Sequence, residues 1–108
     1  LADFIKKEKI ENLCILSGDA HMLAIDDGEH GQFAEGGGTR IPVFHAAALY
    51  QLGSAKGGPY THGPIEGGGH FGWMTVRDSG GPEIRVEWSG RNWKDEELLR
   101  HEFTVRLR

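Results

Sequence analysis

Two residues with metal-ligand chemistry follow a short apolar run near the start of the chain. The apolar run covers residues 13–17, and the sequence Ser-Gly-Asp-Ala-His at residues 17–21 follows it directly. The carboxylate of Asp19 and the imidazole of His21 both suit Zn, Mn or Fe. Two residues apart on an extended segment, these side chains would point to the same side. Asp19 and His21 are therefore candidates to hold one metal ion together or to contact two.

The residues before this motif predict the elements that position it. Apolar residues at near-helical spacing predict an amphipathic helix over residues 2–11. The continuous apolar run at residues 13–17 is typical of a strand that is covered on both faces. Helix followed by buried strand is an α/β unit, and open α/β sheets bind their ligands at the carboxyl ends of strands. The motif is thus expected at the carboxyl end of a strand, where such sheets bind ligands.

A structural explanation of the same residues stays open. Asp19 would then be a turn residue that accepts hydrogen bonds from backbone amides, and His21 a half-buried polar residue. A zinc or two-metal site needs three or more protein ligands for each ion, and two residues do not supply them.

The middle of the chain is rich in glycine. All 17 Gly lie between Gly18 and Gly90. Residues 26–40 and 52–69 are predicted to be exposed loops, and residues 41–47 a short strand between them. Glycine contributes little apolar surface, so we expect a marginal core from this chain alone.

The end of the chain has the pattern of an antiparallel sheet. Residues 71–77 and 83–88 predict a hairpin around a Gly-Pro turn, and residues 94–99 a local helix or long turn. Residues 102–108 alternate between apolar and polar, which predicts a strand with one wet face. We expect the side chains of Trp73, Trp88 and Trp93 to pack in the core of the sheet rather than to form a surface on which a ligand stacks.

Three further histidines are candidate contacts for a substrate. His62 and His70 lie in the glycine-rich loops, which are expected near the site, and His45 ends a predicted strand. Each of these histidines also has a structural interpretation, either as a solvated loop residue or as a core residue. Cys14 is the single cysteine, so an internal disulfide is excluded, and we expect it to be a small core residue.

Composition excludes two classes of partner. The formal net charge of −4 gives no electrostatic reason to bind the phosphate backbone of nucleic acid. No apolar run approaches the roughly 20 residues of a membrane span. We expect neither nucleic acid nor membrane as a partner.

The order of these features resembles the C-terminal part of alkaline phosphatase D-like enzymes, within the calcineurin-like metallophosphoesterases. The match rests on Leu-Ser-Gly-Asp-Ala-His at residues 16–21 and, less specifically, on residues 69–76, where Gly-aromatic-Gly opens an alternating strand. In the wider superfamily the first motif is Gly-His-x-His, and Asp19 stands where the first His would be. The resemblance implies that Asp19 and His21 are ligands of a two-metal centre of Mn, Zn, Fe or Ca.

The same resemblance implies a fold and a reaction. The fold is an α+β arrangement, part of a layered β-sandwich whose mixed sheet has a flanking helix and C-terminal antiparallel strands. The reaction is hydrolysis of a phosphoric ester by the whole enzyme. The superfamily's earlier motifs, Asp-x-His, Gly-Asp-x-x-Asp and Gly-Asn-His-Asp/Glu, do not occur in this sequence.

We therefore expect residues 1–108 to be an incomplete metallophosphoesterase domain that is inactive alone. Its expected partners are a missing N-terminal part of the same protein, or another copy of the chain, and a phosphate ester substrate. A second class of function stays open, in which the chain is a non-catalytic β-rich binding domain and Gly-Asp-x-His is only a turn.

Overall fold

The domain is mostly β, with one short helix in the 107 residues, 1–107, that the computed structural model describes. Helix α1 covers Ala2–Lys7. The seven strands are β1 Ile15–Ser17, β2 Leu23–Asp26, β3 Val43–His45, β4 His62–Ile65, β5 His70–Asp78, β6 Glu83–Asn92 and β7 Glu97–Arg106. Within the described part of the chain, no helix is long and apolar enough to cross a membrane.

The strands form two sheets. Sheet A has the order β1-β3-β2-β4, with β1 parallel to β3 and β2 antiparallel to both of its neighbours. Sheet B is an antiparallel meander in the order β5-β6-β7. The predicted mixed sheet and C-terminal antiparallel strands are confirmed, but the small helix content makes the domain mostly β.

The hydrophobic core lies between the two sheets. Trp88 of β6 is fully buried and stacks on Phe44 of β3, with ring centroids 5.4 Å apart. Many side chains on the outer face of sheet B are charged, and they pair across the strands, as Arg77 does with Glu87. This alternation is the one that the sequence predicts. The buried residues of this core cluster are Leu23, Ile25, Phe44, Val86, Trp88 and Leu99.

The predicted helix over residues 2–11 is wrong at its C-terminal end. The helix stops at Lys7 because Lys9 has a left-handed backbone, with φ at 52°. The N–H of Ile10 then donates to the carbonyl of Ile5, and the N–H of Lys9 to that of Lys6, which is a Schellman ending. Of the predicted apolar face, the side chain of Ile5 is buried, whereas Phe4 and Ile10 are exposed.

The prediction of a strand covered on both faces at residues 13–17 is also wrong. Strand β1 begins at Ile15, and the side chains of Ile15 and Leu16 are 40% and 54% exposed. The reason is its place in the sheet, because β1 is an edge strand with β3 on one side and no described strand on the other. Cys14, just before it, is half-buried and packs against the core.

Four other parts of the sequence prediction need correction. Strand β4 lies inside the predicted loop at residues 52–69, and β2 was not predicted. Strand β7 starts at Glu97, within the segment predicted as a helix or long turn, and ends at Arg106. Arg108, the last residue of the predicted terminal strand, lies outside the described residues. Of the Trp side chains predicted as core, Trp73 and Trp93 are exposed.

Candidate functional site

The site begins where β1 ends. Gly18 follows the last residue of the strand, and the next two polar residues, Asp19 and His21, both have a left-handed backbone with φ of 52° and 58°. Non-glycine residues adopt this conformation infrequently, and such residues cluster at functional sites. The side chains meet, with Asp19 Oδ1 3.0 Å from His21 Nε2. The predicted proximity is confirmed, although a tight turn rather than an extended segment produces it.

The environments of the two side chains differ. The carboxylate of Asp19 is 94% exposed, whereas the imidazole of His21 is 30% exposed. Within residues 1–107 no backbone amide donates to Asp19, so its hydrogen bond with His21 is not the turn-capping bond of the structural explanation. An exposed carboxylate held beside an imidazole is open to a ligand from solvent.

The segment after β3, residues 46–48, holds the site together through the backbone. The N–H of His21 donates to the carbonyl of Ala47, with N and O 3.4 Å apart. The N–H of His70 donates to the carbonyl of Ala48 at 3.2 Å. The first residue of the segment donates its own N–H to the last residue of β1 at 2.9 Å. Segments that are distant in the sequence therefore meet at one place.

These segments enclose a cleft of about 680 Å³. Asp19, His21 and His70 all lie along it, together with the chain between β3 and β4 and the start of β5. His70 is one of the three predicted substrate contacts, and the structure brings it to the same cleft as the predicted metal ligands.

His70 has an unusual environment for a polar side chain. It is 6% exposed, and its Nδ1 has no hydrogen-bond partner among the described residues. Burial lowers the pKa of His70, which favours the neutral imidazole. A buried polar atom without a partner costs free energy unless a ligand or water satisfies it. His70 therefore has an unused hydrogen-bonding position at a buried nitrogen.

Two glycines allow the loops to approach these histidines. A Cβ on Gly53 would lie 2.1 Å from the backbone oxygen of His21, which accepts a hydrogen bond from the N–H of Ser54. A Cβ on Gly67 would lie 2.9 Å from Cε1 of the His70 ring. Any larger residue at either position would displace the site.

The other two predicted substrate contacts do not line this cleft. His45 faces the outer side of sheet A and packs edge-on against Tyr60, with ring centroids 5.6 Å apart, and burial lowers its pKa. His62 lies between the sheets beside His101 of β7, with ring centroids 5.4 Å apart. His45 therefore lies on the outer face of sheet A and His62 between the two sheets, and neither lines the cleft that contains Asp19 and His21.

Sequence reasoning missed a second pair of an aspartate and a histidine. His30 Nδ1 lies 2.6 Å from Asp26 Oδ2, and the backbone N–H groups of Gly28 and His30 donate to Asp26 Oδ1. Burial raises the pKa of Asp26, but these hydrogen bonds lower it, and the net shift is downward. The spacing Asp-x-x-x-His at the end of an apolar run was the available signal. This pair lies on the outer face of sheet A, with His45.

The pair at Asp19 and His21 fits two of the ligands of a metal ion. Two ligands each about 2.0–2.2 Å from a cation, at angles of roughly 90–110°, lie roughly 2.8–3.6 Å apart, which includes the distance between these two atoms. No group of three or more His, Cys, Asp or Glu side chains within residues 1–107 is arranged to hold a metal. On its own, this site supplies only part of a coordination shell.

Fold and site together define a mostly β domain of two packed sheets with an Asp-His pair at the end of an edge strand. A scan against protein-family models found no match for the chain, and searches of the curated proteins and of the solved structures found none either. The family resemblance therefore rests on the residues of the motif.

Proposed function

We propose that this chain is part of a metal-dependent hydrolase of phosphoric esters similar to alkaline phosphatase D-like enzymes. In this proposal Asp19 and His21 are metal ligands, and the two sheets are part of the layered β-sandwich of a calcineurin-like metallophosphoesterase. The observation that carries the proposal is the 3.0 Å approach of Asp19 Oδ1 to His21 Nε2 at the carboxyl end of β1.

The carboxylate oxygen of Asp19 and the imidazole nitrogen of His21 are proposed to bind divalent or trivalent cations such as Mn, Zn, Fe or Ca. One carboxylate and one imidazole suit the transition metals better than Ca, which prefers oxygen ligands. Two such ions in the whole enzyme would polarise the phosphoryl oxygens and lower the pKa of a bound water. Because this chain supplies two ligands, the remaining ligands come from other residues, either an N-terminal part of the same protein or another chain.

His70 has a separate role in the proposal, as a contact to the substrate. Its buried, neutral ring can donate a hydrogen bond from one nitrogen and accept one at the other. In the tautomer that protonates Nδ1, this nitrogen would donate a hydrogen bond to a phosphoryl oxygen once a local shift of the surrounding loop exposes it, because Nδ1 is buried and unpartnered among the described residues. This bond would hold the ester beside Asp19 and His21 without requiring a charge on the ring.

Titration with Mn²⁺, followed by the NMR signals of the histidine rings, tests the metal site. The bound paramagnetic ion should broaden the ring signals of His21 first and of His70 next, while those of His62 and His101 persist. His21→Asn should abolish this selective broadening. His30→Asn is the matched control, because His30 also pairs with an aspartate, and it should leave the broadening at His21 unchanged. Broadening centred on His30 would refute the assignment.

Activity gives a second test. The isolated chain should not hydrolyse an aryl phosphate monoester or diester when Mn, Zn, Fe or Ca is supplied, because its ligand set is incomplete. Metal-dependent turnover that His21→Ala abolishes would show instead that these residues form a complete site.

A non-catalytic binding domain is the second candidate function. The observation that favours it is the edge of β5 beyond His70, on which no described strand pairs and which is suited to pairing with another strand. Under this function the Asp-His pair is structural, and Mn²⁺ would broaden no histidine signal selectively.

A further inference from the structure

The outer face of sheet A carries a cavity of about 450 Å³ that shares no lining residue with the cleft of the proposed metal site. Strands β1, β2 and β3 form its floor, because their registers place Ile15, Val43 and Asp26 in one row on this face. Two loops of the same chain, in residues 30–33 and 58–60, complete the walls. Small-molecule sites are concave, measure roughly 300–1,000 Å³ and are mostly apolar with a few placed polar groups. The cavity has the size of such a site.

The walls of the cavity are mainly apolar and partly aromatic. Phe33, which is 76% exposed, and the half-buried Tyr60 both line it, together with Pro59. The hydroxyl of Tyr60 donates to the carbonyl of Lys56 at 2.8 Å, so Tyr60 offers the cavity its ring. Aromatic rings pack favourably on one another, stacked or edge to face. An aromatic molecule would therefore gain contacts with both side chains and cover the exposed ring of Phe33.

One polar arrangement in the cavity is fixed, the pair of Asp26 and His30. Asp26 is 4% exposed, and its Oδ2 lies 2.6 Å from His30 Nδ1. Burial raises the pKa of Asp26, but its hydrogen bonds bring the pKa below the ordinary value, so the carboxylate is ionised at neutral pH. An ionised carboxylate only accepts hydrogen bonds, so Nδ1 carries the proton, and Nε2 of the neutral ring is an acceptor. Within residues 1–107, no group is hydrogen-bonded to His30 Nε2.

The charges around the cavity favour a neutral ligand. None of the described residues that line it is Lys or Arg, and the ionised carboxylate of Asp26 repels an anion. That carboxylate already accepts hydrogen bonds from the N–H groups of Gly28 and His30 and from the His30 ring. A cation would therefore lose its hydration for a carboxylate that is already hydrogen-bonded. Burial lowers the pKa of His45, so this second imidazole of the cavity is also kept neutral.

We propose that this cavity binds a small, neutral aromatic alcohol of the phenol class, whose hydroxyl donates to His30 Nε2 while its ring packs against Phe33 and Tyr60. A phenol hydroxyl loses its proton at a pKa of about 10, as in Tyr, which makes it a stronger donor than the hydroxyl of an aliphatic alcohol. Phenols thus combine the donor that His30 lacks with the ring that the walls accept. Asp26 is a positioning residue, because it fixes the tautomer of His30. This inference is independent of the proposed metal site.

NMR titration with p-cresol tests the site, and toluene is the matched probe because it has nearly the same shape without the hydroxyl. Added p-cresol should shift the ring signals of His30 most and those of His45 next, and leave those of His21 and His70 in place. The chain should bind p-cresol roughly fivefold more tightly than toluene, which is the effect of one ordinary hydrogen bond. Two charged analogues, p-toluate and 4-methylbenzylamine, should bind more weakly than p-cresol.

Substitutions separate the contact with the hydroxyl from the cavity itself. His30→Phe removes the acceptor and keeps a ring, so the preference for p-cresol over toluene should disappear while toluene still binds. Asp26→Asn no longer fixes the tautomer of His30, and it should reduce the same preference. Phe33→Ser, at an exposed position, should weaken the binding of both probes and keep the preference. His21→Asn is the matched control, because His21 also pairs with an aspartate, and it should change neither affinity.

Several results would overturn the proposal. Equal binding of p-cresol and toluene by the wild-type chain would show that the hydroxyl is not recognised. A preference that survives in His30→Phe would place the acceptor elsewhere, and if that variant binds neither probe, an unchanged preference in Asp26→Asn would decide against the proposal. Tighter binding of either charged analogue would identify an ionic site. If no probe shifts the signals of His30 and His45, this face does not bind small aromatic molecules.

Discussion

Replacement of Gly72 by Ala tests the contact that joins the two sheets beside the candidate site. A Cβ at position 72 would lie 2.7 Å from the Cβ of Ala46 and 3.0 Å from Cζ of the Phe44 ring. Carbon atoms in favourable contact are about 3.5–4.0 Å apart, so the new methyl group overlaps both neighbours. Neither neighbour can move freely, because Phe44 stacks on the buried Trp88 and the N–H of Ala46 is hydrogen-bonded to β1.

The expected cost is that of overpacking. Inserting a methyl group into a packed contact destabilises a protein by about 1–3 kcal/mol. With a urea dependence of about 1–3 kcal/mol per M, the midpoint of unfolding should fall by roughly 1 M. Far-ultraviolet circular dichroism would report the unfolding, because its signal does not depend on one tryptophan. All variants should be measured at one protein concentration, because association shifts the apparent stability.

Two further variants separate the clash from a general effect of removing glycine. Gly81→Ala is the matched control, because its Cβ would meet only the hydroxyl of Ser79 at 3.9 Å, and we expect little change in the midpoint. Ala46→Gly removes the nearest obstacle, so the double variant with Gly72→Ala should be more stable than the sum of the two single effects predicts, by about 0.5–1 kcal/mol. If Gly72→Ala unfolds like the wild type, the close approach of β5 to the segment after β3 is wrong.

Two more predictions concern the core and the buried carboxylate. Trp88→Ala should lower the free energy of unfolding by about 3–5 kcal/mol, whereas Trp93→Ala, at an exposed position, should change it by about 0.5 kcal/mol or less in the same urea assay. Asp26→Ala should cost about 1–3 kcal/mol because it leaves the N–H groups of Gly28 and His30 without their acceptor. Since the pKa of Asp26 lies below its ordinary value, its stabilisation is present above about pH 4 and is lost as the pH falls through the folded pKa. Acid titration of stability should therefore be shallower in Asp26→Ala, and an unchanged acid dependence would contradict this reasoning.

The position of both histidines at the candidate site depends on the backbone of the segment after β3. His21 and His70 are both held by the chain that follows β3, through Ala47 and Ala48. A substitution in that segment can displace both imidazoles without touching either of them. The histidine NMR signals proposed for the metal titration would detect such a displacement before any metal is added.

Local patterns in the sequence determined the C-terminal sheet. Alternation along β6 places Val86 and Trp88 in the core, while Arg85 and Glu87 point outwards and pair with charges on neighbouring strands. The turn before Glu83 carries its own Gly-Pro signal. The period of two in a strand is a local property, so it can be predicted from neighbouring residues alone.

The same kind of local pattern located the Asp-His pair. A short apolar run followed by Gly-Asp-x-His predicted the proximity of Asp19 and His21 at the end of a strand, and the structure has them 3.0 Å apart. The extended conformation assumed for the pair was wrong, because both residues have a positive φ. Asp and His tolerate that conformation better than most residues, a preference that residue types indicate only weakly.

Only the tertiary structure decided which distant residues join the site. Strands β2 and β4 are short, and β4 contains Gly63 and Pro64, so neither has a strong strand pattern and pairing with distant segments defines them. The exposure of β1 follows from its edge position and not from its apolar sequence. His70, at the start of β5, lines the cleft. His45 lies on the outer face of sheet A, and His62 lies between the sheets beside His101. Sequence spacing describes neighbours along the chain, and contacts between residues such as Ala48 and His70 depend on loop closure and on packing between sheets.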